Sequence, residues 1–170
     1  MSKRALKKYL AGLDQEALAG QLLDLYDRFP QVKTYYDFVF NPREDRLLQE
    51  AKSKIRREFF PQRRKRPKAR RSIAQKYIRH FKTLGMEPHL LADLMAFNLE
   101  TTAEFEKTRN CPEAFYRSIY KSYEEWTAHM VHHGIFMEFQ LRHDNFLRAL
   151  EMADWPNLED FLARSEQMTL

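Results

Sequence analysis

Seven cations crowd nine consecutive positions of this chain: Arg63, Arg64, Lys65, Arg66, Lys68, Arg70 and Arg71, interrupted only by Pro67 and Ala69. Like charges at that spacing repel one another, so the segment is costly to pack and easy to solvate. An anionic polymer would relieve the repulsion and release its own counterions. Arginine dominates, and its planar fork suits bidentate contact with phosphate. Lys52, Lys54, Arg56 and Arg57 extend the basic character upstream, and Lys76, Arg79 and Lys82 extend it downstream. No zinc-finger spacing or RNA-recognition signature accompanies them. The plain alternative is a solvated loop, or a loop docked on the acidic C-terminal half.

Other residues could do chemistry. His129 and His133 stand at i and i+4, so both can face one metal ion, with Glu125 a turn earlier and His143-Asp144 further along the chain. The spacing lacks a His-Glu-x-x-His or Glu-x-x-His pattern. His132 and His133 also precede Gly134, where a helix C-terminus favours them without any metal. Cys111, just before Pro112, sits where a helix N-terminus would stabilise a thiolate, although packing explains a lone cysteine equally well. Tyr35, Tyr36, Phe38 and Phe40 could stack on bases, but their density reads first as core. The four glycines, Gly12, Gly20, Gly85 and Gly134, form no phosphate-binding loop, dinucleotide fingerprint or nucleophile elbow, which argues against an enzyme.

The elements that must position these groups read as helices. Ser2 and Asp14 are placed to cap the first two. Leu18, Leu22, Leu25, Tyr26 and Phe29 share a face before Pro30, and a short helix over 31–40 follows. Asn41-Pro42-Arg43-Glu44 is a start signal for a helix with Leu48, Ala51, Ile55 and Phe59 inward. Ser72, with Gln75 three residues on, predicts a capping box for a helix ended by Gly85. Pro88 opens a helix with Leu91, Leu94, Met95 and Phe105 inward. Pro112 opens one bearing Phe115, Ile119, Tyr123, Trp126 and Met130. Phe136, Phe139, Phe146, Leu147 and Leu150 mark the last long helix. No sustained alternation suggests strands. The expected fold is all-α: a compact bundle or a short stack of antiparallel helical hairpins, with about eight or nine helices. One helical domain over 1–155, with its basic loop at 61–71, and a short C-terminal helix or tail over 156–170 are expected.

Net charge is +5, but residues 1–85 carry 22 Lys and Arg against 9 Asp and Glu, and the remainder carries 7 against 15. Either the basic half meets an anionic partner or the two halves attract each other. No run approaches the ~20 apolar residues a membrane span needs, no secretory leader is evident, and a single cysteine fits a reducing compartment. A cytoplasmic location without membrane association is expected.

Several stretches carry a resemblance. They are Lys7-Lys8-Tyr9-Leu10, Tyr35-Tyr36-Asp37-Phe38-Val39-Phe40-Asn41-Pro42, Phe59-Phe60-Pro61, Arg71-Ser72-Ile73-Ala74-Gln75-Lys76-Tyr77-Ile78 and Glu113-Ala114-Phe115-Tyr116. Over roughly residues 1–150 the chain resembles a bacterial family of uncharacterised helical proteins, classed as a domain of unknown function. The resemblance implies a small helical protein and assigns no residue a role. The leading functional expectation is a non-enzymatic adaptor that binds another protein, as grooves between stacked helices commonly do. The alternatives are nucleic-acid or polyanion binding through Arg63, Arg64, Lys65, Arg66, Lys68, Arg70 and Arg71, and then a metal-dependent enzyme built on His129 and His133. No cofactor is implied.

Overall fold

The computed structural model describes residues 2–62 and 66–169. Among the described residues there are nine α-helices and no strand: α1 (Lys3–Leu10), α2 (Gln15–Arg28), α3 (Pro30–Phe40), α4 (Glu44–Phe59), α5 (Arg71–Leu84), α6 (Pro88–Glu106), α7 (Glu113–His133), α8 (Phe136–Met152) and α9 (Leu158–Thr169). The all-α expectation holds. No helix among the described residues is long and apolar enough to cross a membrane. The chain divides into two compact units, residues 1–43 and 44–170.

The first unit holds α1 to α3. Ser2 Oγ accepts from the Ala5 N–H at 3.2 Å and Asp14 Oδ1 from the Ala17 N–H at 2.8 Å, as their positions predicted. Gln21 donates to the Tyr9 hydroxyl at 2.6 Å, tying α1 to α2, and the Tyr26 hydroxyl donates to Asp37 at 2.7 Å, tying α2 to α3. No side chain of these three helices is buried.

In the second unit α6 packs against α4, α5, α7 and α8. Its sequence explains why. Apolar or small residues lie nearly all round it, and such a helix is stable only when surrounded. Even Asn98, Thr101 and Thr102 are buried there. The two threonine hydroxyls turn back to the Phe97 and Leu99 carbonyls, as hydroxyls inside a dry helix tend to do. Helix α7 buries the expected stripe of Phe115, Ile119, Tyr123, Trp126 and Met130. Helix α9 belongs to this unit: Phe161 is fully buried, its ring 5.0 Å from that of Tyr123, and Trp155 packs edge-on against Tyr116 at 5.1 Å.

Two helix starts differ from the sequence reading. Helix α4 begins at Glu44, two residues beyond Pro42. Helix α5 begins at Arg71, with Arg70 as its N-cap and no side-chain capping bond, so Ser72 is not a cap. Gln75 instead reaches Glu125 at 2.6 Å. Arg71, in the first turn, reaches that same carboxylate at 2.6 Å. Gly85 and Gly134 end α5 and α7 with φ of +76° and +68°, the left-handed geometry that made glycine the natural stop.

Candidate functional site

The basic run is partly engaged within the chain. Arg63, Arg64 and Lys65 lie outside the described residues. Arg66 and Lys68 are exposed. The Lys68 and Ala69 N–H groups both donate to the Glu58 carbonyl, and Ala69 takes a left-handed φ of 49° to do so. Arg70 grips the Glu58 carboxylate with two guanidinium nitrogens, at 2.8 and 3.2 Å. That bond holds the Glu58 carboxyl below its usual range. Arg71 donates to Ser122 at 2.7 Å and Glu125 at 2.6 Å. Two of the seven cations therefore staple the end of the run to α4 and α7.

Helix α4 sorts its own cations by face. Lys52 meets Asp93 at 2.5 Å, and Arg56 meets Glu104 with two parallel bonds at 2.7 and 2.8 Å. Both partners are on α6. Burial alone would raise the Asp93 carboxyl, but hydrogen bonds from Lys52 and Arg142 overcome this and hold it below the ordinary range. On the other side of α4, Arg46, Lys54 and Arg57 are exposed and line a groove of about 670 Å³ with Tyr77 and His80 of α5. Sequence reading missed this division, and it missed Arg46, Tyr77 and His80 as members of one surface. At 100° per residue, Arg46 and Arg57 fall opposite Leu48 and Ile55, a signal the helical wheel contains.

His129 and His133 meet, but His143 does not join them. His129 is buried and its Nε2 lies 3.0 Å from the Pro88 carbonyl, so one ring nitrogen is taken. Burial lowers its pKa, and His133, Lys82 and His132 push the same way. His133 is exposed and its ring lies 4.4 Å from that of His129. His143 is elsewhere, buried under Tyr123 and Trp126. Among the described residues no group of three His, Cys, Asp or Glu is gathered that could hold a metal ion. Cys111 is half-buried, and burial followed by the Glu106 charge raises its thiol pKa, the opposite of an activated nucleophile.

The tyrosine-rich segment departs from the reading that made it core. Tyr35, Val39 and Phe40 are exposed, Phe40 by 81%. With α2 they form an apolar surface that includes a cavity of about 500 Å³ lined by Leu22, Leu23, Tyr26, Tyr36 and Phe40. Of the fourteen large hydrophobic residues exposed among those described, nine lie in the 43 residues of the first unit. Monomeric surfaces rarely gather apolar groups so densely. Amphipathic spacing showed which residues share a face, but not that the face lacks a cover.

These features define an all-α protein with an apolar N-terminal surface and a cationic groove between two helices. A family model described as a family of unknown function, DUF6155, matches residues 1–169, and the chain belongs to that family. The match extends past residue 150 and takes in α9, consistent with Trp155 and Phe161 being core residues. No curated protein and no solved structure matches the chain.

Proposed function

We propose that this protein is a non-enzymatic interaction module whose first helical unit docks on a partner protein. The observation that carries the reading is the apolar face of α2 and α3, where Leu22, Leu23, Tyr35, Val39 and Phe40 stand in solvent. Exposed apolar area of this kind is stabilised by removal from water at about 25 cal/mol per Å². Aromatic side chains are the usual anchors of such contacts. Helix α1 adds charge: Lys3, Arg4, Lys7 and Lys8 crowd eight residues and make no ion pair among the described residues. An amphipathic helix with acidic flanks fits this combination, its apolar stripe on α2 and α3 and its carboxylates toward α1.

The test is affinity capture of the full chain from its native cells after nuclease treatment, beside a Leu23→Glu/Phe40→Glu variant. One protein should co-purify at a fixed ratio with the natural chain and be lost from the variant, while circular dichroism shows the variant still helical. Recovery of nucleic acid alone, or equal recovery of the protein by the variant, would overturn the reading.

A further inference from the structure

The α4–α5 groove is independent of the apolar surface, and its chemistry differs. Arg46, Lys54 and Arg57 project from the side of α4 opposite its core stripe, and His80 projects from α5 across the groove. All four are exposed. The one carboxylate among them is Glu50, which lies 3.7 Å from Arg46 in an exposed i, i+4 pair. Lys54 and Arg57 make no ion pair among the described residues, although Lys52 and Arg56 on the same helix both do. The molecule thus has carboxylates for the cations facing α6 and leaves Lys54 and Arg57 in the groove without an ion-pair partner among the described residues.

Spacing identifies the kind of anion. Arg46 and Arg57 are eleven residues apart, roughly 16 Å along the helix axis, with Lys54 between them. A single phosphate would meet one of these cations. A repeating phosphate backbone would meet several and release a counterion at each. Tyr77 supplies the other half of the chemistry. It is half-buried and lines the groove, its ring packed 6.2 Å from that of Phe81. Cations flanking a partly exposed aromatic ring are the elements of a single-strand platform, where phosphates track the charge and a base stacks on the ring. The groove also lies on the hairpin that carries the basic run, whose Arg66 and Lys68 are exposed.

We infer that the groove between α4 and α5 is a binding site for single-stranded nucleic acid, with Lys54 and Arg57 contacting phosphates and Tyr77 stacking on a base. Recognition is through backbone and stacking, so it carries little sequence preference.

Fluorescence anisotropy of the full chain at low salt tests this, using fluorescein-labelled oligouridine, oligothymidine and a DNA duplex as probes. One or both single strands should bind, and the RNA and DNA arms show which sugar is preferred. Lys54→Ala/Arg57→Ala should weaken binding about tenfold or more and make the salt slope shallower by about 1.4, the value for two lost single-strand phosphate contacts. Arg56→Ala, whose cation is already tied to Glu104, should change the affinity by less than about twofold. Tyr77→Ala should cost roughly tenfold and Tyr77→Phe little, because the ring rather than the hydroxyl stacks. Binding of neither single strand would overturn the inference. So would unchanged binding by the Lys54→Ala/Arg57→Ala variant, including the case in which Arg66→Ala/Lys68→Ala alone abolishes it. Equal affinity for the duplex together with no effect of Tyr77→Ala would overturn it as well.

Discussion

The two units solve the hydrophobic problem in opposite ways. Residues 44–170 surround α6 with four helices and fill the space with Trp126, Tyr123, Phe59, Phe81 and Phe161. Residues 1–43 are as rich in leucine and aromatics, yet none of their helices buries a side chain. Composition does not separate the two. What separates them is how many helices are available to cover each apolar stripe. A two- or three-helix unit has too little volume to enclose its own side chains, whereas α6 has four helices packed against it. An apolar stripe in the first unit is therefore a surface, and one in the second is a core.

The sharpest way to break that comparison is to truncate one aromatic in each unit. Phe161→Ala removes a fully buried ring that packs on Tyr120, Tyr123, Phe146 and Trp155. It should cost about 3–5 kcal/mol in urea unfolding followed by circular dichroism. Phe40→Ala and Leu23→Ala, at exposed positions, should each stay within about 0.5 kcal/mol. A cost for Phe40→Ala comparable with that of Phe161→Ala would mean that the first unit's apolar face is covered in solution, and the contrast would fail.

Charge draws the same line with a smaller effect. Arg142 is about one-quarter exposed and joins Asp93 at 2.5 Å and Glu100 through two nitrogens, while Lys52 reaches Asp93 from α4. Three helices of the second unit meet in this network. Arg142→Ala takes the Arg142 guanidinium from Glu100 and leaves Asp93 with Lys52 alone, and should cost about 1–3 kcal/mol. In the first unit, Arg28 and Asp24 form an i, i+4 pair at 2.7 Å with both side chains more than half exposed. Arg28→Ala should be worth no more than about 0.5 kcal/mol, and less in high salt. Denaturation in 0.1 M and 1 M salt checks both.

The sequence made the helices legible and left their company obscure. Ser2, Asp14, Gly85 and Gly134 announce helix ends through local chemistry that needs nothing from the rest of the fold. The α7 stripe is equally local, since its period alone sets one face inward. Non-local pairing decided the rest. Ser72 lies inside α5 and is not its cap, and Arg71 beside it pairs with Glu125, 54 positions away. The excess of positive charge in residues 1–85 suggested either a partner or self-attraction, and part of it is met within the chain: Lys52, Arg56 and Arg71 pair with acids of the C-terminal half and Arg70 with Glu58, while Lys54 and Arg57 make no ion pair among the described residues. The helical wheel could have divided the α4 cations into two sets. It could not have told which set faced acids, because that depends on α6 lying against one side.

Acid should reveal the units a third time, because all six histidines lie in the second. His143 is 1% exposed. As a neutral ring it can accept from the Tyr123 hydroxyl at Nε2, 2.7 Å away, while its Nδ1–H donates to Asp144 at 3.2 Å. Burial holds its pKa below the ordinary 6.5, against the opposing pull of Asp144. His129 is lowered for the same first reason. The unfolded chain therefore takes up these protons before the folded one does. Stability from both groups is fully present above about pH 6.5 and is lost as pH falls below it, by up to about 1.4 kcal/mol per pH unit for each. His89 works the other way. Hydrogen bonds that its ring donates to Glu87 and then Glu138 raise its pKa, so its contribution is present below 6.5 and lost as pH rises through the higher folded value. It is well exposed, and its share is the smaller one. The carboxylates held low, among them Asp93 and Glu58, keep their contribution above about pH 5 and lose it as pH falls through and below the ordinary carboxylate range. Urea unfolding at pH 7.5 and 5.5 thus isolates the histidines. The natural chain should be weaker at pH 5.5, and His143→Gln, which keeps an acceptor for Tyr123, should narrow the difference by about 1 kcal/mol. An unchanged difference would place the proton elsewhere and remove His143 from the account of why the second unit needs neutral pH.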